Sequence, residues 1–285
     1  MRNICLTVAY DGTDFHGWQR QPGLPTVQAC VETAIERVTG APAHLWGSGW
    51  TDAGVHALSQ VANFKTACPI PCENLVKALN NLVPPTVRIK AAREVLASFH
   101  ARYDVRSKTY RYRILQAPIC SPFLWRFVCH HPLPLNYAAM AEGARLVEGE
   151  HDFTSFAAAS SEEETVEEKE VRIQSVSRRT DVRMPEGGQA EKDKPTAGGW
   201  QSRGMVRKIF SSRLIRRPTT SMLLYEVRGT GFLHHMVRNI VGTLMEVGRG
   251  KLVPADVTRI LAARDRTLAG PTAPAQGLCL VKVEY

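Results

Sequence analysis

Residues 26–40 read TVQACVETAIERVTG, and this stretch sets the plan of the first hundred residues. Val27, Cys30, Val31, Ala34, Ile35 and Val38 recur at i, i+3, i+4, i+7, i+8 and i+11, which is one face of an α-helix. Thr26 has an N-capping side chain, and Gly40 stops the helix. Upstream, Ile4–Tyr10 alternates like a strand and ends in the turn Asp11-Gly12-Thr13-Asp14. Downstream, Ala43–Gly47 and Val61–Phe64 read as strands. A second helix is expected over Cys72–Leu82, closed by Pro84-Pro85, and a strand over Val87–Ala92. The order is β-α-β-β-α-β.

The second half repeats the kinds of part. Strands are expected around Thr109–Leu115, Val171–Arg178, Met222–Arg228 and Cys279–Val283. Helices are expected near Asn136–Val147, over the apolar run from Leu233 to Val247, and after Pro254. This predicts an α+β fold of two ferredoxin-like lobes, residues 1–105 and 106–285, whose antiparallel sheets pack together. Residues 181–204, rich in Gly, Pro and charge, read as a flexible insertion. The following stretch, 201–217, carries six basic residues and no acidic one, and reads either as a solvated loop or as an RNA-contacting arm.

At 285 residues, 44% hydrophobic and 22% charged, the composition is that of a soluble globular protein. Apolar runs fall short of the roughly 20 residues that span a bilayer, and the N-terminus does not read as a signal peptide. The seven cysteines are scattered, without a CxxC pair, which argues against a disulfide framework and for a reducing cytoplasm. Cys129-His130-His131 and His234-His235 suggest metal ligands, but adjacent side chains diverge on strands and helices, so no metal site is expected. The net charge is +9 although residues 162–170, EEETVEEKE, contribute −5. Such a basic remainder suits a polyanionic partner, nucleic acid above all.

Three clusters could carry chemistry. In GSGWTDAGVHALSQVANF (47–64), Gly47, Gly49 and Gly54 would let the backbone carrying Asp52 approach a ligand. His56 in that loop reads as a packed residue or a substrate contact. In Lys108-Thr109-Tyr110-Arg111-Tyr112-Arg113, a strand puts Lys108, Tyr110 and Tyr112 on one face and both arginines on the other, a mixture that suits RNA or a half-buried tyrosine face. Arg238 falls inside an otherwise apolar helix, where a guanidinium demands a carboxylate or phosphate; Asp52 is a candidate partner. A nucleotide-binding reading of the glycine-rich loop is weak, because no GK[ST] follows.

Several stretches together resemble the tRNA pseudouridine synthase A family. They are Tyr10-Asp11-Gly12 with Gly17-Trp18-Gln19, Thr51-Asp52-Ala53-Gly54-Val55-His56-Ala57, and Phe99-His100-Ala101-Arg102. Lys108–Tyr112, Phe232-Leu233-His234-His235-Met236-Val237-Arg238-Asn239, Ala273-Pro274 and Gly277-Leu278 complete the set. The resemblance runs from residue 4 to the C-terminus, interrupted at 181–204. It implies the pseudouridine synthase fold and a cofactor-free homodimer that isomerises uridine in the tRNA anticodon arm, at positions 38 to 40 of the tRNA. It also implies that Asp52 is the catalytic carboxylate, Tyr110 the aromatic beside the uracil and Arg238 the partner of the aspartate. Trp50, His56, Arg102 and Lys108 are then candidate substrate contacts.

That chemistry breaks the N1–C1′ bond, turns the uracil and rejoins it through C5, with no redox change. A carboxylate can attack C1′ or take a proton from the sugar. The uridine must first leave its stack, at a cost of a few kcal/mol. Here the chain departs from the family pattern, which has an arginine where this sequence has Trp50. An indole can stack as a wedge but cannot form a charged bidentate pair. Three readings follow: a stacking substitute, a weakened enzyme, or an RNA-binding protein or chaperone without turnover.

Overall fold

The computed structural model describes residues 1–158 and 204–285, the side chain of Pro218 excepted. The Glu-rich run, the strand expected near 171–178 and the insertion up to residue 203 lie outside these residues. Strand β1 (Arg2–Tyr10) runs antiparallel between β3 (His56–Thr66) and β4 (Val87–Val95). Its alternation sends Ile4, Leu6 and Val8 into the core at 0% exposure. Helix α1 (Val27–Thr39) begins where Thr26 accepts a hydrogen bond from the Ala29 amide. It ends at Gly40, whose φ of 75° lies in the left-handed region. Val27, Val31 and Ile35 are its buried stripe. Helix α2 (Cys72–Leu82) buries Leu75 and Leu79.

In the second half β5 (Ser107–Leu115), β9 (Met222–Gly229), β8 (Val206–Arg217) and β7 (Gly149–Asp152) pair antiparallel in that order. The described part of the basic stretch therefore contains a strand, paired with β7 over Val206–Ile209 and with β9 from Ile209 to Arg217. Helices α3 (Tyr137–Arg145), α4 (Met236–Gly248) and α5 (Asp256–Ala263) complete this half. Helix α4 is buried almost all round, as its continuous apolar sequence requires.

The α+β class with antiparallel-dominated sheets is as expected, and the sheets of the two halves join edge to edge into one. The full order is β4-β1-β3-β10-β5-β9-β8-β7, with β2 (Trp46–Gly47) on β3 and β6 (Cys129–His130) on β5. The joint is the C-terminal strand β10 (Leu278–Glu284), which pairs parallel to β3 at Cys279 and Leu280 and antiparallel to β5 along its length. One strand thus pairs with both halves, at two residues of β3 and along β5.

A backbone strap before β10 fastens this joint to α4. A Cβ added at Gly242 would collide with the Pro271 carbonyl oxygen and come within 2.9 Å of its carbonyl carbon. Gly242→Ala gains up to about 1 kcal/mol of helix propensity, but overpacking against backbone costs about 1–3 kcal/mol. The variant is expected to unfold at lower denaturant than the parent; an unchanged midpoint would mean the strap yields freely.

Candidate active site

Asp52 stands in the turn between β2 and β3, and the turn is held from beneath by the loop after β1. The Tyr10 hydroxyl lies 2.8 Å from Thr51 Oγ1, the Trp18 amide donates to the Thr51 carbonyl at 3.1 Å, and the Gly54 amide donates to Phe15 O at 3.2 Å. A Cβ at Gly17 would strike the Thr51 carbonyl oxygen, so the second loop needs glycine there to approach so closely.

His56 is a strut in this assembly rather than a group facing a substrate, because it is 5% exposed and both ring nitrogens are engaged. Nδ1 accepts from the Gly12 amide at 3.0 Å, and Nε2 lies 2.9 Å from Arg126 O and 3.2 Å from Gln276 O. Burial lowers its pKa, so the neutral Nε2–H tautomer that fits these partners is kept. The sequence pattern offered both roles, and only the depth of the ring decides between them.

The Asp52 carboxylate meets the N-terminal end of α4. Arg238 Nη1 donates to Oδ2 at 2.9 Å, while Arg238 Nε donates to the Ala273 carbonyl at 2.7 Å. One guanidinium is therefore fixed by the strap and fixes the carboxylate in turn. Beneath it, Arg266 donates to Asn239 Oδ1 at 3.1 Å and Gly270 O at 3.0 Å, and Asn239 donates to Phe156 O at 2.7 Å. Nothing in the sequence marked Arg266, and Asn239 entered only as the last residue of the stretch 232–239 that carries the resemblance.

His234 and His235 complete the cluster. Nε2 of His234 lies 3.6 Å from Oδ1, and Nε2 of His235 lies 3.4 Å from Oδ2. Adjacent side chains were expected to diverge, but His235 has a φ of 59°, which turns its ring beside that of His234, centroids 3.9 Å apart. The geometric ground for setting this pair aside therefore fails. Burial lowers the pKa of His235, opposed in part by Asp52.

Tyr110 is 7% exposed and sets its ring edge-on to Phe232 at 5.1 Å. Burial, then the Asp52 carboxylate, raises its phenol well above the ordinary range, so it stays protonated. Trp50, 37% exposed, carries the Arg102 guanidinium 5.1 Å from its ring centre. The position that lacks an arginine thus presents one borrowed from the segment after β4. Lys108 sits beneath the same turn, its Nζ filling the place a side chain at Gly49 would take. Burial, then Arg102, pulls its pKa down to about 7. Asp52, Tyr110, Arg238 and the two histidines form one cluster; Trp50, Arg102 and Lys108 border it; His56 lies below.

Arg102 is placed by His100, whose Nδ1 accepts from the Arg102 amide at 3.1 Å and whose pKa burial lowers to about 4. The folded protein keeps His100 neutral down to about pH 4, whereas the unfolded chain protonates it near 6.5. Between those values the unfolded state binds more protons, so stability falls as pH falls, by at most about 3 kcal/mol in total. Denaturant unfolding from pH 7 to pH 4 is expected to show this slope, and His100→Gln is expected to flatten it; equal slopes would remove His100 from the account.

The sequence matches the profile of a family described as tRNA pseudouridine synthase over residues 6–104 and 144–285. The chain belongs to the tRNA pseudouridine synthase family. It is 48% identical to tRNA pseudouridine synthase A of Solibacter usitatus (strain Ellin6076) and 42% identical to tRNA pseudouridine synthase A of Brevibacillus brevis, in each case over the whole of both chains. The protein of the same name from Caldicellulosiruptor saccharolyticus is 38% identical over the same extent. A pseudouridine synthase scaffold kept only for binding RNA, without turnover, finds no support among these relatives. Among the described residues no helix is long and apolar enough to cross a membrane.

Proposed function

We infer that the protein is a tRNA pseudouridine synthase, an isomerase that converts uridine in tRNA to pseudouridine. The observation that carries this beyond family membership is the Asp52 carboxylate, held at 2.9 Å by Arg238. The anticodon arm is the proposed target, and the cytoplasm, which suits seven free thiols, the proposed compartment. A homodimer is also proposed; Ile119, Phe123 and Trp125, each at least half exposed, are apolar surface that a second copy would cover.

In the proposed cycle the uridine is extruded toward Asp52. Trp50 and Arg102 act at the rim, the indole as a stacking surface and the guanidinium as the phosphate contact. Asp52 acts on the ribose, by attack at C1′ or by removing a sugar proton, and the N1–C1′ bond breaks. The freed uracil turns against Tyr110 and C5 joins C1′, either displacing the Asp52 carboxylate from C1′ or with the sugar proton returned by Asp52; the C5 proton then leaves and N1 gains one. Tyr110, kept protonated, serves as a wall and hydrogen-bond donor. Lys108 adds positive charge under the turn at and below neutral pH.

Two experiments test this reading. Carbodiimide adducts mapped on tRNA after incubation should place new pseudouridine in the anticodon arm; adducts confined to another arm would overturn the target. Trp50→Ala should lower turnover by roughly 5- to 150-fold, the value of about 1–3 kcal/mol for one stacking contact. Unchanged turnover in that variant would exclude the indole from extrusion.

A further inference from the structure

The histidine pair is spaced for something other than hydrogen bonding. An N–H···O bond spans about 2.7–3.2 Å, whereas the two imidazole nitrogens stand 3.4 and 3.6 Å from the Asp52 oxygens. An ion with bonds of about 2.0–2.2 Å to imidazole nitrogen and carboxylate oxygen sets neighbouring donors roughly 3.3–3.5 Å apart, and because the two rings face different Asp52 oxygens the carboxylate would present both to it. The three donor atoms all lie within 4.8 Å of one another. The left-handed backbone at His235 is what aims the second imidazole, a conformation L side chains rarely adopt. Arg238 holds Oδ2 from the helix side, while Oδ1 faces His234. The three side chains are 19–41% exposed, so an ion can enter and water can take a fourth position. Two imidazoles and one carboxylate select zinc-class ions over magnesium or calcium.

We propose that Asp52, His234 and His235 form a binding site for a zinc-class transition-metal cation, and that this cation and the target uridine exclude one another there. The exclusion rests on the reading of Asp52 as the catalytic carboxylate; the binding does not. A carboxylate drawn onto a dication cannot reach a ribose, and the metal with its water fills the space beside the turn. Arg238 and Arg266 oppose the added charge, so occupancy is reversible.

The test titrates the full chain with Co²⁺, as a visible stand-in for Zn²⁺, without RNA. Four-coordinate d–d absorption is expected without near-UV thiolate charge transfer, which separates this site from the seven cysteines. His234→Ala and His235→Ala should each weaken binding about a hundredfold, while His130→Ala, on an exposed ring bonded to Ala117 O, should not. Thermal melting of each variant establishes that it is folded. In parallel, Zn²⁺ should inhibit tritium release from C5-labelled tRNA competitively with the RNA. Absence of d–d bands, or bands equally strong in both histidine variants, would overturn the site. If release still depended on Asp52, the isomerase reading would stand without it. Histidine-dependent bands with turnover indifferent to zinc would overturn the exclusion.

Discussion

Replacing Asp52 with Asn is expected to lower turnover by on the order of 10⁴-fold or more, as removal of a nucleophile or base does in other enzymes, while RNA binding changes little. The substitution keeps the shape of the side chain and an oxygen that can still accept from Arg238 Nη1, now at 2.9 Å. What it removes is the charge and the lone pair that the proposed cycle uses on the ribose. Asp52→Ala should abolish turnover equally but also lower stability, because the Arg238 guanidinium, whose side chain is 15% exposed, would lose its carboxylate. Comparing the two separates chemistry from scaffold. Filter binding of tRNA and single-turnover assays on both variants are the measurement. Retained turnover in Asp52→Asn would remove the carboxylate from the mechanism.

Arg238→Lys carries the second large effect, a fall in turnover of about 10²–10³-fold, comparable to the loss of one preorganised donor in an enzyme site. The guanidinium reaches Asp52 through Nη1 and the Ala273 carbonyl through Nε, two directions from one rigid plane. An ammonium is a point donor on a flexible stem and cannot hold both. The charge is kept, so a purely electrostatic role would leave activity nearly intact. The geometric role requires kcat to fall while KM for tRNA moves little. Equal losses in both, or none, would show that orientation of the carboxylate is not what Arg238 supplies.

Much of the fold follows from local pattern. Helix α1 carries its stripe, its Thr26 cap and its Gly40 stop within 15 consecutive residues, so local chemistry suffices. The position of β10 has no such signal. An apolar C-terminal strand can pair at any open edge, and only assembly of both halves leaves β3 and β5 facing each other. The basic stretch read as a solvated loop or an RNA-contacting arm, and not as a strand, because charge hides alternation; in β8 the buried positions Ile209, Ser212 and Leu214 are interrupted by a bulge.

The site shows the same division. A charged residue in an apolar helix is conspicuous, so Arg238 asked for a partner from sequence alone. His235 is not conspicuous, because a backbone turned to φ 59° leaves no trace in residue type. His56 was ambiguous because burial, not identity, fixes its role. Trp50 read as a missing cation, yet the guanidinium over its ring comes from Arg102, 52 positions further along the chain. Contacts of that range lie beyond local pattern.

The most direct test of the account is tritium release from C5-tritiated uridine in tRNA, followed with the parent protein and with Asp52→Asn. Stoichiometric release by the parent and release at the background rate by the variant are expected, with both proteins binding the RNA. Release that persists undiminished in Asp52→Asn, or none from a parent that binds tRNA, would contradict the account.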